Sequence, residues 1–292
     1  MLYIEPAFAA TLLPSEQRFS HLVQFQGQIY REQEGRKTLR FAHRGKHYFL
    51  KVHTGVGWKE IIKNLLQLRL PIISARPEWC AIHKLNELGI DTATPVAYGN
   101  EGINPAARRS FIIFEDLGDT ISLEDVFSME QNTSSHLGRD VGLRRTMIRK
   151  LAIIARTLHM NGVNHRDFYL CHIHVPRVQT AQTRNPEDLQ LYIIDLHRAQ
   201  IRKKTPVRWI VKDLGGLLFS SLEIGLTTRD LYRFLTVYHD EPLRNCFAKH
   251  SPLWRRIRKR SLRLYRKLYP ERVLRRYLHV VLDHTPITPI IM

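Results

Sequence analysis

The sequence has few cysteines and no segment that predicts export or a membrane span. Cys80, Cys171 and Cys246 are the only cysteines in 292 residues, which argues against a disulfide scaffold and against a CxxC metal site. Residues 1–6 lack the basic start and apolar core of a signal peptide. The longest apolar candidate, residues 214–226, is too short to span a bilayer. We therefore predict a cytoplasmic protein, and a position on a membrane surface stays open.

Acidic residues are scarce relative to basic ones. The chain has 45 Lys plus Arg against 27 Asp plus Glu, a formal net charge of +18. This excess predicts an anionic partner, and nucleic acid, an anionic membrane surface, a phosphorylated glycan or an acidic protein would each satisfy it. The hydrophobic content of 43% and the charged content of 25% are typical of a soluble globular protein. The length allows one large core or two lobes.

A histidine-rich loop organises the chain. His165-Arg166-Asp167 follows an amphipathic helix predicted over residues 142–160 and precedes a short apolar strand at 173–175. A protein-kinase catalytic loop has this order: its Asp accepts the proton of the attacking hydroxyl, and an Asn five residues later binds a second metal ion. We predict the first role for Asp167. His172 stands at the Asn position and would bind metal, or would orient Asp167 or the acceptor, because imidazole is softer than magnesium prefers.

A β-hairpin predicted upstream provides a lysine. Residues 38–41 and 47–52 alternate in polarity, and Arg44-Gly45-Lys46 between them is typical of a turn. The alternation places Lys51 on one face of the strand and Tyr48, Leu50 and Val52 on the other. Kinases hold the α- and β-phosphates of ATP with a lysine at this place, so we predict that role for Lys51. The alternative is a solvated lysine on an edge strand.

A helix predicted over residues 77–88 carries the carboxylate that a kinase lysine needs. It has Pro77 in its first turn and Gly89 after its end. We predict that Glu78 pairs with Lys51 and orients it. The alternative for Glu78 is a first-turn acid stabilised by the helix dipole, and Glu87 is predicted to be a solvated residue of the last turn. The apolar face is predicted to contain Trp79, Ile82, Leu85 and Leu88.

Two junctions match the rest of a nucleotide site. An apolar strand at residues 109–114 leads into Glu115-Asp116-Leu117, and the backbone of Glu115 to Leu117 would bind the adenine edge, as a kinase hinge does. A strand predicted over residues 189–194 ends at Asp195, which would bind magnesium; an aspartate that caps a turn is the alternative. Leu196-His197 replaces the usual Phe-Gly after this aspartate.

Other kinase features are shortened or missing. An apolar helix predicted to start near residue 212 carries Asp213, which resembles the acid that braces the catalytic-loop backbone. The short segment between Asp195 and Asp213 favours a small-molecule or glycan kinase over a regulated protein kinase. The sequence has no GxGxxG, and only Gly27 and Gly35 flank the expected phosphate-covering turn.

The C-terminal part is basic and predicted to be helical. Residues 253–269 are dense in Arg and Lys, with Trp254, Ile257, Leu264 and Leu268 on one side. Two interpretations stay open, and the helix could satisfy both: an amphipathic helix at an anionic membrane, or a terminal helix that packs its apolar side and leaves a solvated basic face. Residues 131–140 predict a polar loop, and residues 59–68 predict a helix.

The chain closely resembles the lipopolysaccharide core heptose(I) kinase family of Gram-negative bacteria, a branch of the protein-kinase-like superfamily. The most specific string is Asn164-His165-Arg166-Asp167-Phe168-Tyr169 with Cys171-His172. Further segments that carry the resemblance are residues 34–41, 55–61, 64–71, Glu78-Trp79 and residues 194–198. The resemblance implies an α+β, two-lobed kinase-like fold. Its small β-rich N-lobe is expected over residues 1–114 and its mostly helical C-lobe over residues 115–292.

The resemblance also implies an activity and partners. The family transfers the γ-phosphoryl group of ATP, with Mg²⁺, to a hydroxyl of heptose I of the inner core, at the cytoplasmic face of the inner membrane. The expected partners are the lipid A–core oligosaccharide, rich in acidic sugars and phosphate, the anionic membrane surface and, as a candidate, acyl carrier protein. Lys51, Glu78, Glu115 and Leu117 would bind the nucleotide, and Asp195 and His172 the metal.

The remaining site residues have expected roles, and the function has two alternatives. Asp167, Lys51 and Arg166 are the expected catalytic residues, with Arg166 bracing the loop or meeting the acidic glycan, and His165 and Asp213 give structural support. A kinase of the same fold acting on Kdo, on heptose II or on protein tyrosine is the first alternative. The second is a non-catalytic basic module, and we expect no nucleic-acid partner.

Overall fold

A computed structural model describes residues 1–33, 35–66, 71–130, 141–182, 186–222, 224 and 226–269. Their backbone contacts group into two units. The sheet unit contains Met1–Gly118 together with Asp195–Arg198. The helical unit contains Asp119–Ile194 and the described residues from Ala199 onward. The loop predicted over residues 131–140, and residues 67–68 at the end of the helix predicted over 59–68, lie outside the described residues.

The sheet unit is built on one antiparallel sheet with the spatial order β1-β5-β6-β4-β3-β2. The strands are β1 (Leu2–Ile4), β2 (Gln28–Gln33), β3 (Arg36–His43), β4 (Lys46–His53), β5 (Pro95–Glu101) and β6 (Arg109–Glu115). The helices are α1 (Pro6–Ala9), α2 (Phe19–Val23), α3 (Gly57–Leu66) and α4 (Arg76–Glu87). Arg44 and Gly45 join β3 to β4 with positive φ angles of 46° and 78°, as a two-residue hairpin turn requires.

The two faces of β4 differ as its alternation predicts. Tyr48, Leu50 and Val52 are buried in a core that also contains Phe8 of α1 and residues of α2. The first 25 residues, where the sequence predicted no element, therefore supply the edge strand β1 and two short helices that contribute to this core. Lys51 lies on the other face, where Thr38 of β3 is its cross-strand partner.

The helical unit contains six helices among its described residues, together with short strands. The helices are α5 (Leu123–Glu130), α6 (Val141–Met160), α7 (Arg177–Gln182), α8 (Val207–Ser220), α9 (Thr228–His239) and α10 (Leu243–Leu268). The strands form two small sheets, β7 (Thr120–Ser122) with β9 (Ile173–Pro176) and β10 (Tyr192–Ile193), and β8 (Val163–Asn164) with β11 (Gln200–Ile201). The predicted α+β class, with a sheet-rich N-terminal part and a mostly helical C-terminal part, is confirmed.

Two elements differ from their predictions. The strand predicted over residues 189–194 contains only Tyr192–Ile193, because side chains bind the preceding backbone. Lys150 Nζ donates to the Leu189 carbonyl (2.8 Å), and the Gln190 N–H donates to Gln179 Oε1 (2.8 Å). The helix predicted to start near residue 212 starts at Val207, so its first turn also contains Trp209.

The basic helix α10 packs its apolar side and exposes its basic side. Trp254, Ile257 and Tyr265 are buried, and the helix packs against α8. Leu268, predicted to share this apolar side, is 58% exposed at the last helical residue. The exposed cations of α10 include Arg255, Arg256, Lys259, Arg263, Arg266 and Lys267. Among the described residues, none of the helices is long and apolar enough to cross a membrane.

Candidate active site

The sheet unit brings Lys51, Glu78 and Asp195 into direct contact. Lys51 Nζ lies 2.6 Å from Glu78 Oε1 and 3.3 Å from Asp195 Oδ1. Lys51 comes from β4, Glu78 from the first turn of α4, and Asp195 from the short segment that packs against α4. Glu78 is 2% exposed, whereas Glu87 at the other end of α4 is exposed. The predicted lysine and two of the predicted acids therefore form one group.

The charges in this group reinforce one another. Burial lowers the pKa of Lys51, but the charges of Glu78 and Asp195 outweigh burial and hold it above its ordinary value of 10.5. Lys51 therefore stays a cation at neutral pH. Arg36 of β3 lies on the same sheet face, and its pKa is lowered by burial and by the charge of Arg31, while the charge of Asp195 raises it. The sequence analysis did not select Arg36.

Asp195 is held in an unusual backbone conformation. Its φ is 60°, in the left-handed region that non-glycine residues seldom adopt. Its Oδ1 also accepts a hydrogen bond from His197 Nδ1 at 2.5 Å. Such conformations persist where surrounding contacts over-determine them. His197 was missed as a site residue, although its place two residues after Asp195, where kinases have glycine, was the available signal.

The predicted hinge is tied to the sheet. The N–H groups of Glu115 and Asp116 donate to the carbonyls of Thr94 and His47, each at 2.9 Å. Their side chains form ion pairs, Glu115 with Lys46 (2.9 Å) and Asp116 with Arg40 (2.7 Å). An adenine contact from Glu115 would therefore use its carbonyl oxygen, and the Leu117 N–H is the candidate donor.

In the helical unit, Asp213 of α8 holds the backbone before Asp167. Its Oδ2 accepts from the His165 N–H (2.7 Å), and its Oδ1 accepts from the Arg166 N–H (2.8 Å). Asp213 is 1% exposed, and His159 Nε2 lies 3.5 Å from its Oδ2. Arg166 has a φ of 72° and is 7% exposed, so these contacts support a strained turn. Asp213 lies where a bracing role requires it.

Two stacked histidines, His165 and His172, also hold the loop that contains Asp167. His165 Nε2 lies 3.0 Å from the Ile194 carbonyl, so it donates there, and its Nδ1 accepts from the Asp167 N–H at 3.3 Å. His172 Nδ1 donates to the Asp167 carbonyl at 2.7 Å. The two rings stack with centroids 5.9 Å apart and planes 11° apart. Backbone groups therefore set the tautomer of both rings and fix the main chain of Asp167.

Lys212 is a cation that the sequence analysis missed. Its Nζ lies 3.9 Å from Asp167 Oδ1, and it immediately precedes Asp213 on α8. Adjacent residues of this helix therefore contact both the side chain of Asp167 and the backbone that precedes it. Adjacency to Asp213 was the one signal in the sequence.

The donor groups suit magnesium in part. Asp195 offers a carboxylate, the hard oxygen that magnesium prefers. His172 uses Nδ1 for the Asp167 carbonyl, so only Nε2 keeps a lone pair, and it is a softer donor. In the part of the chain that the structure describes, no group of three His, Cys, Asp or Glu side chains could hold a metal ion. A magnesium ion would therefore complete its shell with phosphate oxygens and water, as it usually does.

The chain is similar in sequence to known proteins of one family. A model of the lipopolysaccharide kinase (Kdo/WaaP) family matches residues 20–238. The lipopolysaccharide core heptose(I) kinase WaaP of Escherichia coli is 47% identical over 246 residues, which cover 84% of this chain and 89% of that protein. The enzyme of the same name from Pseudomonas aeruginosa is 44% identical over 249 residues, covering 85% and 90%.

A solved structure is similar over nearly the whole chain. A structure described as WaaP in complex with acyl carrier protein has a TM-score of 0.74 and 37% sequence identity. The similarity covers 91% of this chain and 99% of that one. Both the fold and the sequence over most of the chain lead to one assignment. The chain belongs to the lipopolysaccharide kinase (Kdo/WaaP) family.

Proposed function

We propose that this protein transfers the γ-phosphoryl group of ATP to a hydroxyl of heptose I in the inner core of lipopolysaccharide. The observation that carries the proposal is the contact of Lys51 with both Glu78 and Asp195 in a chain of this family. The heptose acceptor is supported by relatives of that name at 44% and 47% identity. We also propose that residues 1–114 form the N-lobe and residues 115–292 the C-lobe of a kinase-like fold.

Lys51 holds the α- and β-phosphates of ATP in this proposal. Glu78, buried on α4, keeps the ammonium aimed in one direction, and Arg36 on the same sheet face supplies a second cation for the phosphates. The carbonyl of Glu115 and the N–H of Leu117 bind the adenine edge. Because phosphoryl transfer needs little covalent chemistry from the protein, positioning and charge stabilisation are the main contributions of these groups.

Asp167 accepts the proton of the attacking sugar hydroxyl. Its backbone is fixed by His165 and His172, and the preceding amides are fixed by Asp213, so little reorganisation is needed at the moment of attack. The hydrogen bond of His172 to the Asp167 carbonyl favours an orienting role for this ring over the metal role. Arg166 braces the loop and meets the acidic acceptor.

Asp195 is the proposed magnesium ligand. A bound magnesium ion would neutralise charge on the phosphates and help to orient them. Lys51 and His197 hold Asp195 Oδ1, which fixes the direction of its carboxylate.

We further propose a peripheral position on the cytoplasmic face of the inner membrane. The exposed cations of α10 support it, since anionic lipids attract such surfaces. Because the apolar side of this helix is packed on α8, the attraction is electrostatic and does not depend on insertion. Acyl carrier protein is a proposed partner because the similar solved structure contains it.

The test is phosphate transfer from labelled ATP to purified dephosphorylated lipopolysaccharide. Wild type should label the glycan, and Asp167→Asn should lower kcat by about 10²–10⁴-fold while ATP binding stays intact. Asp119→Asn, at an exposed aspartate of the same unit, is the matched control and should keep its rate. A full rate with Asp167→Asn would refute the assigned base. ATP binding without label in heptose I would point to Kdo, heptose II or a protein acceptor, which can be compared side by side.

A further inference from the structure

Four cationic side chains of the helical unit surround one tryptophan. Trp209 lies in the first turn of α8. The charged groups of Arg166, Arg202, Arg208 and Lys212 lie 5.0, 5.8, 5.2 and 5.7 Å from its ring centroid. We call these five residues the Trp209 cluster. One cation on an indole ring is common, whereas four concentrate like charge beside a single aromatic platform.

The like charges of this cluster oppose one another. Burial lowers the pKa of Arg202, and the charge of Arg208 lowers it further. Arg202 is held by two neutral groups, Asn164 Oδ1 at 2.7 Å and Gln200 Oε1 at 2.5 Å. The repulsion between the two guanidinium groups is a cost that a bound anion would remove.

The N-terminal end of α8 adds backbone N–H donors, which favour an anion as the cationic side chains do. The N-cap residue Pro206 makes no side-chain cap, and the first turn of this fully described helix has no acidic residue. Its first N–H groups and its dipole therefore favour an anion. The Trp209 Nε1–H is also buried without a hydrogen-bond partner among the described residues. Buried donors are rarely left so, and an acceptor atom of a bound group or of an ordered water would satisfy it.

The Trp209 cluster lies next to Asp167, the candidate base. Lys212 Nζ lies 3.9 Å from Asp167 Oδ1, and Arg166 is the residue before Asp167. A group bound by the cluster would therefore sit beside the hydroxyl that Asp167 deprotonates. The acceptor must bring its hydroxyl to Asp167, and the cluster lies beside Asp167 within the same unit, which favours the acceptor as the source of the anion.

We propose that the Trp209 cluster binds an anionic substituent of the acceptor glycan, a sugar carboxylate or a phosphate ester, and so positions the neighbouring hydroxyl at Asp167. This inference rests on the proposed function and adds a specificity site to it. Arginine guanidinium groups suit both anions because their paired donors match two oxygens at once.

Arg208→Gln is the informative variant because this side chain is exposed and its removal should leave the fold intact. The KM for lipopolysaccharide should rise about tenfold, as expected for one lost charge-assisted contact, with little change in kcat or in the KM for ATP. Arg244→Gln, at an exposed arginine of α10, makes the same charge change and should leave all three values as in wild type.

Modified acceptors identify the bound anion. The reference acceptor for these comparisons lacks only the phosphate on heptose I. One preparation also has its sugar carboxylates reduced to alcohols, and the other has its remaining phosphate esters removed. The preparation that lacks the bound group should raise the wild-type KM and remove the difference between wild type and Arg208→Gln. An unchanged acceptor KM in Arg208→Gln, or a rise in the KM for ATP alone, would overturn the proposal.

Equilibrium binding of lipopolysaccharide without ATP separates this inference from the proposed function. If wild type transfers no phosphate to the glycan but Arg208→Gln still binds it about tenfold more weakly than Arg244→Gln does, the site stands and the proposed reaction fails. If transfer occurs and the two variants bind equally, the reaction stands and the site fails.

Discussion

Lys51 shares its charge between two carboxylates, and the two are not equivalent. Glu78 is 2.6 Å away and nearly inaccessible to solvent, whereas Asp195 is 3.3 Å away and also binds His197. Glu78 therefore acts as the fixed partner that sets the direction of the ammonium. If Glu78 lost its charge, Asp195 would be the remaining carboxylate in contact with the Lys51 ammonium.

Glu78→Gln tests this division of roles. The amide keeps the shape of the side chain but loses the charge, so we expect kcat/KM for ATP to fall about 10–100-fold, as for one lost charge-assisted contact. Steady-state kinetics and ATP titration measure the effect. Glu87→Gln, at the exposed end of the same helix, is the control and should behave as wild type. Equal kinetics in the two variants would contradict the orienting role.

At the scale of elements, the turn after α6 depends on a glycine. Gly162 has a φ of 75°, and its carbonyl accepts from the Arg202 N–H at 2.9 Å. A Cβ at this position would overlap the Arg202 carbonyl. The loop that contains Asp167 follows β8, and Arg202 follows β11. The close approach of these two strands therefore requires a residue without a side chain at position 162.

Gly162→Ala should destabilise the protein more than a matched change elsewhere. Gly89→Ala is the control: Gly89 also follows a helix with a φ of 68°, but no atom lies within 4 Å of the added Cβ. We expect Gly89→Ala to cost about 1–2 kcal/mol from backbone conformation alone, and Gly162→Ala clearly more. Urea unfolding of both variants measures the difference, and equal losses would show that the close approach to Arg202 is unimportant.

The basic face of α10 is expected to bind anionic lipid surfaces. Lys259→Glu with Arg263→Glu reverses two exposed charges without touching the buried Trp254 and Ile257. Each charge near an anionic surface contributes about 1 kcal/mol, so binding to vesicles rich in anionic lipid should weaken by more than tenfold. Cosedimentation at low and at physiological salt measures it. The same reversals at the exposed Lys203 and Lys204 are the control, and equal weakening in both would assign the attraction to net charge alone.

For the whole molecule, two histidines whose pKa is lowered in the folded state link stability to pH. Burial, together with the charges of Arg36, Lys51 and His197, lowers the pKa of His53 from 6.5 to about 3. Burial and the charge of His250 lower that of His239 to about 4. Below pH 6.5 these two histidines bind protons in the unfolded chain but stay neutral in the folded chain until the pH approaches their lowered pKa values. The free energy of unfolding therefore decreases as the pH falls.

His53→Asn should reduce this acid sensitivity. In wild type, His53 alone adds a slope of up to about 1.4 kcal/mol per pH unit between pH 6.5 and its folded pKa of about 3. The free energy of unfolding measured at pH 7.5, 6 and 5 should therefore fall less steeply in the variant, even where its stability at pH 7.5 is lower. His21→Gln, at an exposed histidine, is the control and should keep the wild-type slope. An unchanged slope in His53→Asn would show that another group sets the acid limit.

Local patterns in the sequence determined the elements and the kinase-type residues of this protein. The alternation along β4 predicted the face of Lys51, and the helical period over residues 142–160 predicted α6, because both depend on near neighbours in the chain. The motif order predicted that Lys51 and Glu78 would meet, and they do. The roles assigned to Asp167, Asp195 and His172 stay predictions.

Tertiary structure alone decided contacts between residues far apart in sequence. The group of Arg166, Arg202, Arg208 and Lys212 at Trp209 forms because the β8–β11 pairing and the early start of α8 bring separate segments together. It also placed the apolar side of α10 against α8, so that this side is not available for insertion into a membrane and only the exposed basic face could attract anionic lipids. Neither outcome follows from the periodicity of apolar residues. The period shows which side of a helix is apolar, but it does not show which other part of the protein packs against that side.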